Sequence, residues 1–365
     1  MIIKGLCSFF IVSLFIIFSA CSSDSSVYGN GDDSVDIDWG AEQEDRIPQK
    51  RPDDAGSPGK PPPRQDENGV PDDEDHTYDD GDFYNDNDPP VVSLYETEPD
   101  VSECYAGKIS SAEKQKVLIR INFIRSLHDL PPVTYEEDDD IYTSECALLI
   151  AANKKLDHNP SDSWSCYSKE GRTGCQKSNI YIRYGMISQL KSESIVDAFM
   201  TDEGVPTLGH RRWFLDPWLK HISFGRVDDF YQQVVGSAIK VNNDDNDGPI
   251  ISENDIPFVA YPFESYPKEL YNDNVMMSFT LINDKNNKWQ NSSVNFSSAA
   301  IVVKDPSNTV LKISGVANDN DGYGVPNNLR WFAEGVENNV RYDVVITNVL
   351  VNSVSRNYSY WFKLE

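Results

Sequence analysis

The chain has 365 residues, a net charge of −27 and 39 % hydrophobic residues. That length suffices for about two domains of ordinary size. So acidic a protein repels nucleic acid and anionic lipid headgroups, which argues against both as partners.

Residues 1–20 read as an export signal: Lys4, an apolar run, then small residues. The run is too short and too poorly flanked for a retained membrane span. Phe18-Ser-Ala-Cys21 resembles a bacterial lipobox with Phe18 in the usual leucine position. Cleavage before Cys21 would leave that cysteine to carry lipid such as palmitate. Ser22, rather than an aspartate, resembles the pattern sorted to the outer membrane. The expectation is a lipid-anchored protein of the bacterial cell envelope, with plain secretion as the alternative. Between residues 22 and 100 there are 24 Asp/Glu against 5 Lys/Arg and few aliphatic residues. Such a segment cannot bury enough apolar surface to offset the entropy of ordering. Residues 21–100 are therefore expected to form a disordered, self-repelling acidic tether.

Cys104, Cys146, Cys166 and Cys175 remain for the exported chain. Four cysteines outside the cytosol suggest two disulfides, and three pairings exist. The expected ones are Cys166–Cys175, closing a short loop, and Cys104–Cys146, tying the lead-in to a helix. No Cys-x2-Cys spacing supports a thiolate metal site.

Residues 111–127 read as a first helix, with Val117, Ile121 and Ile124 on one face, ended by Leu130-Pro-Pro132. Residues 139–156 read as a second, with acidic residues in its first turn and lysines near its end. Its expected buried face is Ile141, Leu148, Leu149, Ala152 and Leu156. A short third helix spans about 193–201. Residues 221–227 and 232–241 alternate as two strands, and Asp216-Pro217 would stop any helix begun at His210. The polar stretch 242–255 reads as a domain boundary. Beyond it lie short strand candidates with Asn/Asp/Gly turns, read as 275–282, 299–304, 310–313, 329–332, 341–349 and 358–364. That pattern predicts a smaller β-sandwich of immunoglobulin-like style over 256–365.

Several motifs occur in a set order: Asn122-Phe-Ile-Arg125 before Leu130-Pro-Pro132, then Gly209-His210-Arg211, Trp213-Phe-Leu215, Asp216-Pro217 and Phe224-Gly225. This order resembles the bacterial branch of the CAP superfamily: the cysteine-rich secretory, antigen 5 and pathogenesis-related-1 proteins (the SCP domain). The resemblance implies an α+β fold, a CAP-like α-β-α sandwich over 101–245, with the β-sandwich after it. It also implies a cleft holding two histidines and two acidic residues. Position by position, His158 and His210 fall where the histidines belong. Asp202 falls where a glutamate belongs, and Phe199 where a tryptophan belongs. Ser178 stands before Asn179-Ile180, where the family carries a second glutamate.

The implied ligand cleft is thus His158, Ser178, Asn179, Asp202, His210 and Arg211. Two imidazoles and a carboxylate can bind a divalent cation such as Zn or Ca, so His158, His210 and Asp202 form the candidate metal set. A hydrogen-bonded structural network is the plainer reading of the same residues. No Gly-x-Ser-x-Gly elbow is present for a serine nucleophile. Arg211 and Arg212 can grip an anion, or pair with acidic neighbours, or stack on Trp213. Calcium-like strings at Asn243–Gly248 and Asp319–Gly322 lack a glutamate at the twelfth position and read as turns. Trp289, Trp331 and Trp361 either line a carbohydrate groove or pack a core. The function expected is non-enzymatic recognition of a lipid, glycan or protein ligand. The alternative is a metal-assisted hydrolase acting on envelope polymers.

Overall fold

The computed structural model describes residues 93–243, 251 and 256–365. The expected export signal, Cys21 and the expected tether up to residue 92 lie outside the described residues. Residues 93–100, expected in the tether, are instead part of the fold. Strand β1 (Tyr95–Thr97) pairs with β2 (Lys108–Ile109), and Tyr95 and Ile109 are both buried. The acidic composition of this stretch concealed Leu94 and Tyr95, whose apolar surface repays ordering.

Helix α1 (Ser111–Ser126) starts where the Ser110 hydroxyl accepts from the Glu113 amide. Its Val117, Ile121 and Ile124 stripe is buried, as the spacing predicts. After β3 (Thr134–Tyr135) comes α2 (Asp140–Asn153), which ends at Lys154 in the left-handed conformation, short of the expected 156. Thr143, Ala147 and Ile150 of α2 lie on the sheet side. Ile141 is two residues, or about 200°, around the helix from Thr143. It is therefore 51 % exposed, not buried as expected.

The sequence patterns do not announce α3 (Lys169–Lys177) or β4 (Ser178–Tyr184). Helix α3 is strongly polar and short, and it is held by packing on α2. At Gly174 any Cβ would fall 2.0 Å from the Tyr142 carbonyl oxygen, so only glycine admits the approach. Helices α4 (Ser192–Thr201) and α5 (Gly209–Phe214) follow, then β5 (His221–Asp229) and β6 (Val234–Lys240). The sheet order is β3-β5-β6-β4, parallel only between β3 and β5. Gly225 on β5 lies so close to α2 that a Cβ there would meet Thr143 backbone at 2.2 Å. On the opposite face, Tyr181 of β4 packs edge-on against Phe199 of α4. Helices thus cover both faces of this sheet.

The close pairing of α2 and α3 corrects the expected disulfides. Cys146 on α2 bonds Cys175 on α3, and Cys104 bonds Cys166. Cys175 faces α2 through the side of α3 that Gly174 brings near, so the nine-residue loop to Cys166 does not close. Cys166 lies against the turn that carries Val101 and its partner Cys104, with its sulfur 3.6 Å from the Val101 carbonyl oxygen.

The C-terminal region is sheet-rich. It comprises β7 (Phe258–Tyr261), β8 (Glu264–Tyr266), β9 (Met277–Leu281), β10 (Val294–Asn295), β11 (Ala300–Lys304), β12 (Lys312–Asp319), β13 (Asn328–Glu334), β14 (Arg341–Val351) and β15 (Val354–Leu364). One sheet runs β12-β13-β9-β7. The other runs β10-β14-β15-β8, with β11 also on β14. Alternation along β14 buries Tyr342, Val344, Ile346, Val349 and Val351, after a bulge shifts the register between Ile346 and Val349. The interior is shared with the helical part: Phe214 and Leu215 belong to the same hydrophobic cluster as Val259, Met277 and Phe279. The described residues accordingly form one compact unit.

Candidate functional site

His158 follows the end of α2, and its Nδ1 lies 2.8 Å from the Cys175 carbonyl at the end of α3. The Cys146–Cys175 bridge fixes that carbonyl. His210 is the second residue of α5. Asp202 caps α4 in the left-handed conformation and turns its carboxylate onto α5. Its Oδ1 lies 2.7 Å from His210 Nδ1, and its Oδ2 accepts from the Arg211 amide at 3.3 Å. Asn179 Nδ2 donates to the His210 carbonyl at 3.0 Å. The Phe199 ring lies 4.8 Å from the imidazole of His210.

His158 is held below the usual histidine range, chiefly by burial; the Cys175 carbonyl opposes this, and the charge of His210 adds to it. His158 is bonded to Cys175 and the His210 backbone to Asn179, so one stretch of five residues contacts both histidines. Each commits Nδ1 to an oxygen acceptor, so each carries its proton on Nδ1 when neutral. The remaining nitrogen, Nε2, is then a lone-pair acceptor on both rings. A pair of such acceptors suits a ligand that donates, such as a hydroxyl or an N–H.

Two expected cleft residues have other places. Alternate residues of β4 face opposite sides. Asn179 and Tyr181 face α4 and α5, so Ser178 shares the α2 side with Ile180, which packs on Cys146, Leu149 and Cys175. Its hydroxyl is buried without a hydrogen-bond partner. Arg211 is fully buried and grips no anion. Its guanidinium donates to the carbonyls of Met200 at 2.6 Å, Thr201 at 2.7 Å and Met276 at 2.7 Å. It lies 3.7 Å from the centre of the Tyr261 ring. The helix turns about 100° between His210 and Arg211, which sends the neighbour into the core when the imidazole faces outward.

Arg212 pairs with Asp319 at 2.8 Å and donates to the Asp321 carbonyl at 2.8 Å, with its guanidinium over Tyr323 rather than Trp213. Asp319 also pairs with Arg330. Both its oxygens are thereby spent on arginines, so the string from Asp319 is a clamp on α5 and not a calcium loop. Most of the string from Asn243 lies outside the described residues. Helix α5 is thus held from the C-terminal region by Met276 just before β9, by Asp319 of β12 and by the turn after it. Met276 and Asp319 had no sequence signal for this part, because nothing local marks a carbonyl or a carboxylate as the partner of a distant arginine.

The residues present do not fit a three-ligand cation site. Asp202 is occupied by His210 Nδ1 and the Arg211 amide, and a serine facing the other side stands at the second acidic position. Among the described residues no group of three His, Cys, Asp or Glu side chains is arranged to hold a metal ion.

Residues 118–237 match the model of the CAP family, described as the cysteine-rich secretory protein family. The helical region is a CAP-type module. The match runs from the middle of α1 to the middle of β6 and includes every cleft residue named above. The C-terminal partners of Arg211 and Arg212 lie outside it. No curated protein matches the chain.

Proposed function

We propose that this is an exported, lipid-anchored bacterial envelope protein whose CAP module binds a hydrogen-bond-donating ligand between His158 and His210 without transforming it. One observation carries the reading: both imidazoles spend Nδ1 on protein oxygens, which leaves Nε2 as an acceptor on each of two histidines held by the same stretch, Cys175 to Asn179. A fixed pair of acceptors recognises; it supplies no third cation ligand. The metal-assisted hydrolase alternative would need Asp202 released from His210. The anchor rests on the lipobox-like Phe18-Ser-Ala-Cys21. The C-terminal region, of immunoglobulin-like style, acts in this reading as the buttress of α5.

The test uses full-length Cys21→Ser protein, kept soluble, and co-sedimentation with purified cell-wall polymer. Loss of one hydrogen bond worth about 1.4 kcal/mol weakens binding about tenfold. His158→Ala and His210→Ala are each expected to do so. Equal sedimentation of both variants and the parent would sink the recognition reading. For the anchor, the unsubstituted chain should take up radiolabelled palmitate and the Cys21→Ser chain should not. Equal labelling would remove the anchor.

A further inference from the structure

The described surface carries one large indole that the core does not account for. Trp289 is 57 % exposed, whereas Trp331 is fully buried. Trp289 is nevertheless held in place. Its amide donates to Asn287 Oδ1 at 3.0 Å. Gly322 backs the six-membered end of the ring, where a Cβ would come within 3.3 Å of Cζ3. The neighbouring Lys288 ammonium lies 5.1 Å from the centre of Trp289 and 5.5 Å from that of Trp213 on α5. Buried Asp216 neutralises this ammonium at 2.8 Å, and its other oxygen accepts from the Trp218 amide at 3.0 Å. Two indoles from two parts of the chain thus flank one charge-balanced donor. Trp213 is three residues after His210, and residues so spaced are neighbours on a helix surface.

We infer that Trp213, Lys288 and Trp289 form a platform for a β-linked pyranose glycan, continuing the His158–His210 cleft onto the C-terminal region. The inference rests on the recognition reading of that cleft. Pyranose rings with equatorial hydroxyls present flat C–H faces that pack on indole faces. Their hydroxyls can accept from the Lys288 ammonium and donate to histidine Nε2. A cationic ligand would meet Lys288 already between the rings. A nucleic acid would meet the net charge of −27.

Calorimetric titration of the full-length Cys21→Ser protein with cellohexaose and with chitohexaose tests the platform. At least one hexasaccharide is expected to bind. Trp289→Ala, at an exposed position that leaves the core intact, should weaken it at least tenfold. Tyr231→Ala, also at an exposed ring but outside the platform, should change it less than twofold. If neither sugar binds, or if Trp289→Ala binds as the parent does, the platform is overturned. That result leaves cell-wall binding through His158 and His210 standing. Sugar binding that needs Trp289 but survives His210→Ala would support the platform and cut its link to the cleft.

Discussion

Arg211 donates to the Met276 carbonyl at 2.7 Å and so joins the helix that carries His210 to the strand-rich region beyond the CAP module. The guanidinium makes similar bonds to Met200 and Thr201, all within the core. Replacing it by methionine keeps bulk but leaves three buried carbonyls without donors, each worth about 1–3 kcal/mol when left unsatisfied. Arg211→Met is expected to lower unfolding free energy by about 3 kcal/mol in urea titration, and to shift the His210 ring resonances. Arg211→Lys should recover little, because a point charge cannot serve three carbonyls in a fork. A loss under about 0.5 kcal/mol for Arg211→Met would show that the junction does not depend on this side chain.

The disulfides give a second check. Digestion without reduction should release Cys104 joined to Cys166 and Cys146 joined to Cys175. The second bridge joins residues 29 apart, and its removal by Cys146→Ala with Cys175→Ala should cost about 3.6 kcal/mol on the loop-closure account. The same variant should disturb His158, whose acceptor is the Cys175 carbonyl. A peptide joining Cys166 to Cys175 would contradict the α2–α3 packing described above.

Much of this fold is legible in the chain because local periodicity and burial agree. Val117, Ile121 and Ile124 declare α1, and alternation declares β14. Helix α3 was hidden because Lys169–Lys177 is polar and exists by pressing Gly174 on another helix. In the site, motif order implies a cleft shared by His158, His210 and Asp202, and the structure sets Asp202 against His210. Motif order could not assign Asp202 its part, since orienting an imidazole and ligating a cation call for the same side chain at the same position. Arg211 was misplaced because a motif records adjacency in sequence, whereas helix rotation separates neighbours in space.

The Asp202–His210 contact predicts a tautomer. With Nδ1 2.7 Å from the carboxylate, neutral His210 should carry its proton there. Long-range proton–nitrogen NMR should show Nε2 as the unprotonated nitrogen in both His210 and His158. Asp202→Ala should convert His210 to a mixture of tautomers while leaving His158 unchanged. A His210 proton on Nε2 in the parent protein would remove the acceptor pair on which ligand binding depends.

Acid should weaken the junction through His128. This imidazole is buried beside the rings of Tyr261, Phe263 and Tyr266, with Nε2 3.2 Å from the Tyr266 hydroxyl. Burial, its largest influence, pushes it down to about 3 from 6.5. The sign follows from the unfolded chain taking up the proton first. Above pH 6.5 neither state is charged and the group costs nothing. As pH falls from 6.5 towards 3, unfolding is favoured progressively, by about 1.4 kcal/mol per pH unit. His128→Gln keeps a polar contact with Tyr266 but cannot titrate. Between pH 7 and pH 4 the parent should therefore lose about 3 kcal/mol more stability than this variant, read from urea midpoints at each pH. Parallel losses in the two proteins would mean that His128 takes up its proton without opening the junction.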